Sequence, residues 1–287
     1  MGELTLLQIT QAACNELGLN APSVVMASQD LQVIQFRSLL NRDGIELYQD
    51  RDWTFLQGEH IVNLATPISI TGDVVAGSTT ISNVSSIAGI SPATAFMLSG
   101  NGIPTAQRLV SAVATTIVCE MENTVTGTAV ALTAMQDTYE LPSDFDRYIS
   151  NTWWDRTNHW MLIGPQSPQF DQWQRSGIVT TGPRRRWRQI GIQPQVFRLW
   201  PPPTTSDTPS ALVFEYVNDG WVQHANGTFG KRFTADNDIP LLDDDAMILG
   251  AKWRFLQAKG ISYGAQQQEY LSYVQRLKAR DGGMPDL

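Results

Sequence analysis

The sequence predicts an α+β fold in which an α-helical bundle forms the core, accompanied by a small β-sheet region and an inserted all-β, sandwich-like domain. Apolar side chains recur at helical spacing near both ends of the chain. Between residues 61 and 136, charged residues are scarce and short β-branched runs alternate with turn residues. A chain of 287 residues has room for two domains. We therefore expect residues 1–58 and 139–287 to form a discontinuous helical domain around an inserted β domain at residues 61–136.

The composition is that of a folded protein, with 42% hydrophobic and 17% charged residues. A net charge of −8 argues against general affinity for nucleic-acid backbones, which favour clustered Lys and Arg. No apolar run is long enough to predict a membrane span, and the first residues lack the basic run of a secretory signal. Cys14 and Cys119 lie in segments of different character, which argues against a structural disulfide.

The first part of the chain predicts two helices. Residues 4–17 place leucines near one side of a short helix that ends at Gly18. Ser28 is positioned to cap a longer helix that continues to about Tyr48 and is apolar on more than one side. Such a helix lies either at the centre of a bundle or between subunits.

The predicted insert is rich in Ser and Thr, which make up 20 of the 76 residues from 61 to 136. Pairs such as Gly72–Asp73 and Gly77–Ser78 supply turns at intervals that suit short strands. The regular spacing predicts a fold rather than a low-complexity segment, and we expect a small sandwich.

The stretch Tyr139–Pro168 predicts an aromatic helix that packs against both halves of the helical domain. Ser143 has the spacing of a helix cap, and Gly164–Pro165 ends the pattern. Four large apolar residues follow at steps of 4, 4 and 7, as on one helical face: Phe145, Ile149, Trp153 and Trp160. Ser167 and Pro168 then begin a second, short helix.

The residues from about 184 to 218 predict a β-hairpin and sheet. Between Asp171 and Asp207 every charged residue is an arginine. The cluster consists of Arg184, Arg185, Arg186 and Arg188. Guanidinium groups bind carboxylates and phosphates, so an acidic protein partner and DNA are both candidates for this strand. The third interpretation is a solvated strand edge that prevents edge-to-edge pairing.

Two helices are predicted to close the chain. Asp243, Asp244 and Asp245 lie where the start of a helix favours acids, and Gly260 ends that helix. A final helix begins at about Tyr263 and carries basic residues at its C-terminal end.

We find no pattern that predicts catalysis, a cofactor or a metal site. The three histidines, His60, His159 and His224, lie far apart and lack the spacing of metal ligands. Residues 227–232 lack the length and the Ser or Thr of a phosphate-binding loop. The acids between residues 236 and 245 lack the central glycine of a calcium loop. The sequence therefore predicts a protein that is not an enzyme.

Several longer strings resemble the head-to-tail adaptor proteins of tailed bacteriophages. They include AACNELGLNAP, RDWTF, YELPSDFDRYISNTWWDRTN, LIGPQSPQ and FTADNDIPLLDDDAMILGAKWRFLQAKG. The likeness covers residues 4–58 and 139–283, while the insert resembles β modules that recur in phage structural proteins.

The resemblance implies a structural protein of the virion neck, made in the host cytoplasm, that forms a ring of usually twelve copies beneath the portal protein. A tail nozzle or tail-tubular protein would dock below, and genomic DNA would pass without sequence-specific binding. Two alternatives stay open: a tail nozzle or tubular protein, and a module in which residues 61–136 bind a host glycan or tail fibres.

The resemblance also suggests which residues take part in contacts. The expected portal-binding residues are Tyr270, Val274, Leu277, Lys278, Arg280 and Met284. The arginine cluster, from Arg184 to Arg188, would contact neighbouring subunits or the tail. The family motif is structural and consists of Trp153, Asp155, Arg156 and Trp160, with Asp155 and Arg156 expected to form a structural or inter-subunit ion pair.

Overall fold

A computed structural model describes residues 3–90, 96–105, 107–176, 185–191, 195–205 and 210–282. The chain divides into two compact units. Unit 1 comprises Met1–Glu59, Asp144–Ile149 and Glu215–Leu287, and unit 2 comprises His60–Ser143 and Ser150–Phe214. Among the described residues, no helix is both long and apolar enough to cross a membrane.

The described residues form five α-helices and one short 3-10 helix, Thr54–Leu56. The α-helices are α1 (Leu6–Glu16), α2 (Leu31–Asp50), α3 (Pro168–Arg175), α4 (Asp244–Ala258) and α5 (Gly264–Arg280). The first seven strands are β1 (Gln57–Asn63), β2 (Ile68–Val74), β3 (Thr80–Ser82), β4 (Phe96–Gly100), β5 (Gln107–Val113), β6 (Thr116–Cys119) and β7 (Gly127–Gln136). The next seven are β8 (Thr138–Glu140), β9 (Phe145–Tyr148), β10 (Trp154–Asp155), β11 (Trp160–Met161), β12 (Arg186–Ile190), β13 (Val196–Trp200) and β14 (Ala211–Asn218). Three short strands follow: β15 (Val222–Gln223), β16 (Phe229–Gly230) and β17 (Ile239–Pro240).

Unit 1 confirms the helices predicted near both ends of the chain. Helices α2 and α4 meet where the rings of Phe36 and Phe255 stack at 4.5 Å. Thr5 caps α1 in a reciprocal capping box, and Asp243 caps α4 as expected. The cap of α2 is Asp30 rather than the predicted Ser28, because the Asp30 carboxylate accepts from the Gln32 backbone N–H.

The predicted fold class is wrong, because strands contribute as much of the structure as helices and no helical bundle dominates it. The clearest error is the prediction of an aromatic helix, since residues 138–161 instead contain four short strands, β8 to β11. Trp153 is buried, Trp154 is exposed and Asp155 is buried, which is the two-residue period of a strand. Asn151 and His159 adopt positive φ and turn the chain where a helix would continue.

The insert is a closed six-stranded barrel rather than a sandwich, with strands in the order β2-β3-β6-β5-β4-β7. The strand β7 closes it by pairing with both β2 and β4. Inward-facing side chains such as Ile81, Leu98 and Ile117 fill the interior. Alternating burial is common to sandwiches and barrels, so the sequence pattern alone could not separate them.

The other described strands form three further sheets. Strands β12 and β13 form the hairpin predicted around residues 184–200, and β8 adds a third strand. In unit 2, β10 and β11 form a hairpin on Leu212 and Val213 of β14. In unit 1, β9 pairs with the end of β14, and β15 lies between β16 and β17.

Candidate interaction surfaces

In unit 2, the three-stranded sheet of β12, β13 and β8, which we call the arginine sheet, carries arginines that pair with buried aspartates of the same unit. Arg188 on β12 lies directly opposite Arg198 on β13, a pairing of like charges that would normally destabilise a sheet. The Asp171 carboxylate of α3 reaches both, with 3.0 Å from its Oδ2 to Arg188 Nη1 and 3.6 Å to Arg198 Nη1. Asp171 is almost fully buried, and its negative charge offsets the positive charges of the two guanidinium groups.

A second aspartate, Asp137, ties the barrel to the same sheet within unit 2. Its carboxylate is fully buried and accepts bonds of 2.9 and 3.0 Å from Arg108 Nη2 of β5. Arg198 Nε lies 3.9 Å from the same group. The neighbouring Thr138 hydroxyl donates a further bond of 2.8 Å.

The third aspartate, Asp155, is the first residue of the DRTN string at residues 155–158, and its hydrogen bonds show that this string forms a turn. Its carboxylate accepts from the Thr157 N–H at 3.0 Å and from the Asn158 backbone and side-chain N–H groups at 2.9 Å. Such bonds close an Asx-type turn, here between β10 and β11. Ser210 Oγ and Arg185 Nη1 donate at 3.1 and 3.2 Å and fasten the turn to the sheet.

The expected ion pair between Asp155 and Arg156 is therefore not formed within the chain. Asp155 instead forms an ion pair with Arg185. Arg185 lies 30 residues away in sequence, so local spacing could not identify it as the partner. The motif is a structural turn, and its Asp is satisfied by the chain's own donors.

The two tryptophans predicted to share one face occupy opposite environments. Trp153 is fully buried and its ring lies between those of Trp187, at 3.9 Å, and Phe214, at 4.0 Å. Trp160 lies on β11 and is half exposed. Trp153 thus belongs to the core of unit 2, and Trp160 to its surface.

Helix α3 begins where the sequence predicts and leaves an aromatic surface beside the arginine sheet. Ser167 caps it and Pro168 occupies its first turn. The rings of Phe170 and Trp173 contact each other in a tilted arrangement, with centroids 5.3 Å apart, and are 42% and 43% exposed. This surface was missed from the sequence, although Phe170 and Trp173 are three residues apart on the predicted helix.

The connection before α3 requires a glycine. Residues Ile163 and Gln166 run beside β12. The Trp187 N–H donates to the Ile163 carbonyl at 3.0 Å, the Ile163 N–H donates to the Arg185 carbonyl at 3.1 Å, and the Gln166 N–H donates to the Trp187 carbonyl at 2.9 Å. A Cβ on Gly164 would lie 2.6 Å from the Trp187 carbonyl oxygen. The backbone of the LIGPQSP string therefore passes close to β12 and places α3 beside the sheet.

Arg186 differs from its neighbours on β12. Its guanidinium carbon lies 5.5 Å from the centroid of the Phe170 ring, which is a cation–π distance. Within the described ranges it has no carboxylate partner, whereas Arg185 and Arg188 are each paired. We call the surface formed by Ile163, Phe170, Trp173 and Arg186 the arginine–aromatic patch; Arg184 lies outside the described residues.

The residues expected to bind the portal lie in different parts of α5. Tyr270 and Val274 are buried in the core of unit 1, whereas Leu277 and Lys278 are half buried and Arg280 is exposed. Lys278 forms an ion pair with Asp50 of α2. Met284 lies outside the described residues. The outer face of α5 includes Leu271, which is 48% exposed.

A buried polar cluster fixes α5 within unit 1. The Asp43 carboxylate of α2 accepts from Tyr270 Oη at 2.8 Å and from Arg254 Nη1 of α4 at 2.5 Å. Burial raises the Asp43 pKa to about 7, against the opposing effects of Arg254 and Tyr270. Gly250 leaves room for this carboxylate, because a Cβ there would collide with it.

The remaining titratable side chains do not form a metal site in the part of the chain described. There, no group of three or more His, Cys, Asp and Glu residues is arranged to hold a metal ion. His60 packs against Phe214, and His224 bonds to the buried Asp238 at 3.0 Å. Cys14 and Cys119 are buried free thiols.

Comparison with known families gives one match. The model of the family described as SU10 adaptor protein matches residues 99–285. No curated protein matches the chain significantly. The matched region contains the Asx turn at Asp155, the arginine sheet, and helices α3, α4 and α5.

Proposed function

The chain belongs to the SU10 adaptor protein family, a family of phage head-to-tail adaptors, and we propose that it forms a ring beneath the portal that joins the portal to the tail. The observation that carries this proposal is the family match, which covers residues 99–285. A structural role in the virion neck accounts for the way the polar clusters are used. Asp43, Asp155 and Asp171 each hold separate elements of the fold together.

The surface that we assign to the portal is the outer face of α5. Only Tyr270 and Val274 of its described residues are buried, so most of this 17-residue helix is available to a partner. Leu271 provides an exposed apolar contact, and Arg280 a positive charge at the C-terminal end. The Asp43 cluster holds the helix in place through Tyr270, which presents its outer face in a fixed orientation.

We assign the genomic DNA a passive path through the ring. The net charge of −8 disfavours adhesion to phosphates, which would slow DNA exit. Four of the arginines that would bind phosphate are already paired with the chain's own aspartates: Arg108, Arg185, Arg188 and Arg198. A conduit of this kind needs no enzymatic chemistry.

A cryo-EM reconstruction of the virion neck tests this proposal. We expect a ring of this chain between portal and tail, with α5 against the portal. Density that places the chain below another adaptor would instead support the tail nozzle role. Absence of the chain from the neck would contradict both.

A further inference from the structure

The barrel of unit 2 ends in three loops that are tied together by hydrogen bonds. Gly77 N–H donates to the Asn123 carbonyl at 2.9 Å, and Asn123 N–H donates to the Ser78 carbonyl at 2.8 Å. The Thr124 N–H reaches the Gly102 carbonyl of the third loop at 2.8 Å. Asn123 is itself buried. The loops are therefore preorganised, so a partner that binds them has little chain entropy to remove.

This end of the barrel exposes apolar residues among acids. Val75, Met121 and Val125 are 50%, 39% and 42% exposed, and each lies two residues from Gly77 or Asn123 in sequence. Met121 is flanked by the exposed acids Glu120 and Glu122. We call the surface of Val75, Glu120, Met121, Glu122 and Val125 the barrel tip. Clustered exposed apolar residues with a charged border are typical of a protein contact.

The arginine–aromatic patch has the complementary character. It offers the exposed rings of Phe170 and Trp173 together with the cation of Arg186, and aromatic residues and arginine are the commonest hot spots of interfaces. Its charge is available because no carboxylate among the described residues pairs with Arg186. An acidic, apolar tip and a basic, aromatic patch thus occur on one chain; the apolar residues of both are exposed, and Arg186 is half-buried.

We propose that the barrel tip of one copy docks on the arginine–aromatic patch of a second copy. Two different surfaces of one chain that recognise each other make a heterologous contact, which closes into a ring when the rotation allows it. The inference rests on the ring of the proposed function and names the surfaces that would build it. Glu120 and Glu122 would approach Arg186, while Val75 and Val125 would cover Phe170 and Trp173.

Charge reversal tests this contact. Arg186→Glu, or Glu120→Lys with Glu122→Lys, should lower ring formation on portal-bearing capsids by about tenfold or more, because like charges then meet. All three changes in one chain should restore assembly. Arg42→Glu is the control, since Arg42 is exposed in unit 1 outside both surfaces. Assembly that is unchanged in the first two variants, or that is not restored in the third, would overturn the proposal.

Cross-linking tests the same contact in a chain of native charge. Val125→Cys at the tip and exposed Gln172→Cys beside Trp173 should give a ladder of linked copies with a short bis-maleimide, while the buried Cys14 and Cys119 stay unreacted. Either cysteine alone should give no ladder, and a mixture of the two single variants should stop at dimers. A ring on the portal without these links would overturn the contact and leave the proposed function intact. Failure of the unaltered chain to bind portal-bearing capsids would contradict the proposed function, while the ladder in concentrated solution would still decide the contact.

Discussion

Arg188 and Arg198 lie directly opposite each other on two antiparallel strands, and the carboxylate of Asp171 lies within 3.6 Å of both. Two arginines at such a position repel unless an anion separates them. Asp171 comes from α3, so the same contact that relieves the repulsion also fastens this helix to the sheet. The position of the aromatic rings of α3 consequently depends on an ion pair inside unit 2.

Asp171→Asn should destabilise the protein. The change removes the carboxylate that lies against both Arg188 and Arg198, and Asp137 remains only near Arg198, so we expect a loss of about 2–3 kcal/mol in the free energy of unfolding. This is below the range for fully buried pairs because Arg188 and Arg198 are 22% and 15% exposed. Urea unfolding followed by tryptophan fluorescence measures it. Glu269→Gln, on the surface of α5, is the control; equal stability of both variants would contradict the role of Asp171.

Trp153→Ala should cost about 3–5 kcal/mol in the free energy of unfolding, because it removes a fully buried ring from between Trp187 and Phe214. The matched variant Trp160→Ala should cost under about 1 kcal/mol, since that ring is half exposed. Thermal and urea unfolding of both variants provide the comparison. Similar losses for the two would show that Trp153 is not central to the core of unit 2.

The contrast between these two tryptophans shows where sequence reasoning succeeded and where it failed. The capped helices α1 and α4 and the hairpin of β12 and β13 followed from local signals. The prediction of an aromatic helix was wrong because spacings of 4, 4 and 7 also arise by chance along several short strands. Asn151 and His159 lie within the predicted helix and adopt a positive φ, which no local spacing indicated.

The arginine partners could not be predicted for a different reason. Asp137 and Asp171 lie far from Arg108 and Arg198 in sequence, and only the tertiary fold brings them together. The composition indicated an unusual set of arginines and suggested an external partner for them. In the structure, Arg185, Arg188 and Arg198 pair with aspartates of the same chain, whereas Arg186 faces the ring of Phe170.

Asp43 should make stability depend on pH. Its pKa is raised by burial to about 7 in the folded protein, above the value of about 4 for an unfolded aspartate. The folded state therefore holds the proton more tightly, and this contribution to stability is full below pH 4 and is lost as pH rises towards 7. The slope reaches up to about 1.4 kcal/mol per pH unit.

The measurement is the free energy of unfolding between pH 4 and pH 8 for the unaltered protein and for Asp43→Asn. Arg254, Tyr270 and Glu46 face the group, and they remain in both proteins. The stability advantage of the unaltered protein should shrink with rising pH, because asparagine does not titrate. A difference that is constant or grows across this range would show that Asp43 stays ionised in the folded state.

Leu271→Asp should prevent docking on the portal without unfolding the chain. The side chain lies 48% exposed on the outer face of α5, so a carboxylate there is solvated in the free protein and buried in the proposed complex. We expect binding to portal-bearing capsids to fall by about tenfold or more, as for a charge placed in the centre of an interface.

Removal of all residues after Gly260 should also abolish docking, but it would take Tyr270 from Asp43 and so alter unit 1. The point variant avoids this. Leu31→Asp is the matched control, because Leu31 is 81% exposed at the start of α2, away from α5 in sequence. Cosedimentation with capsids measures binding, and circular dichroism checks that both variants melt like the unaltered protein. Full docking by Leu271→Asp would move the portal contact to another surface of the chain.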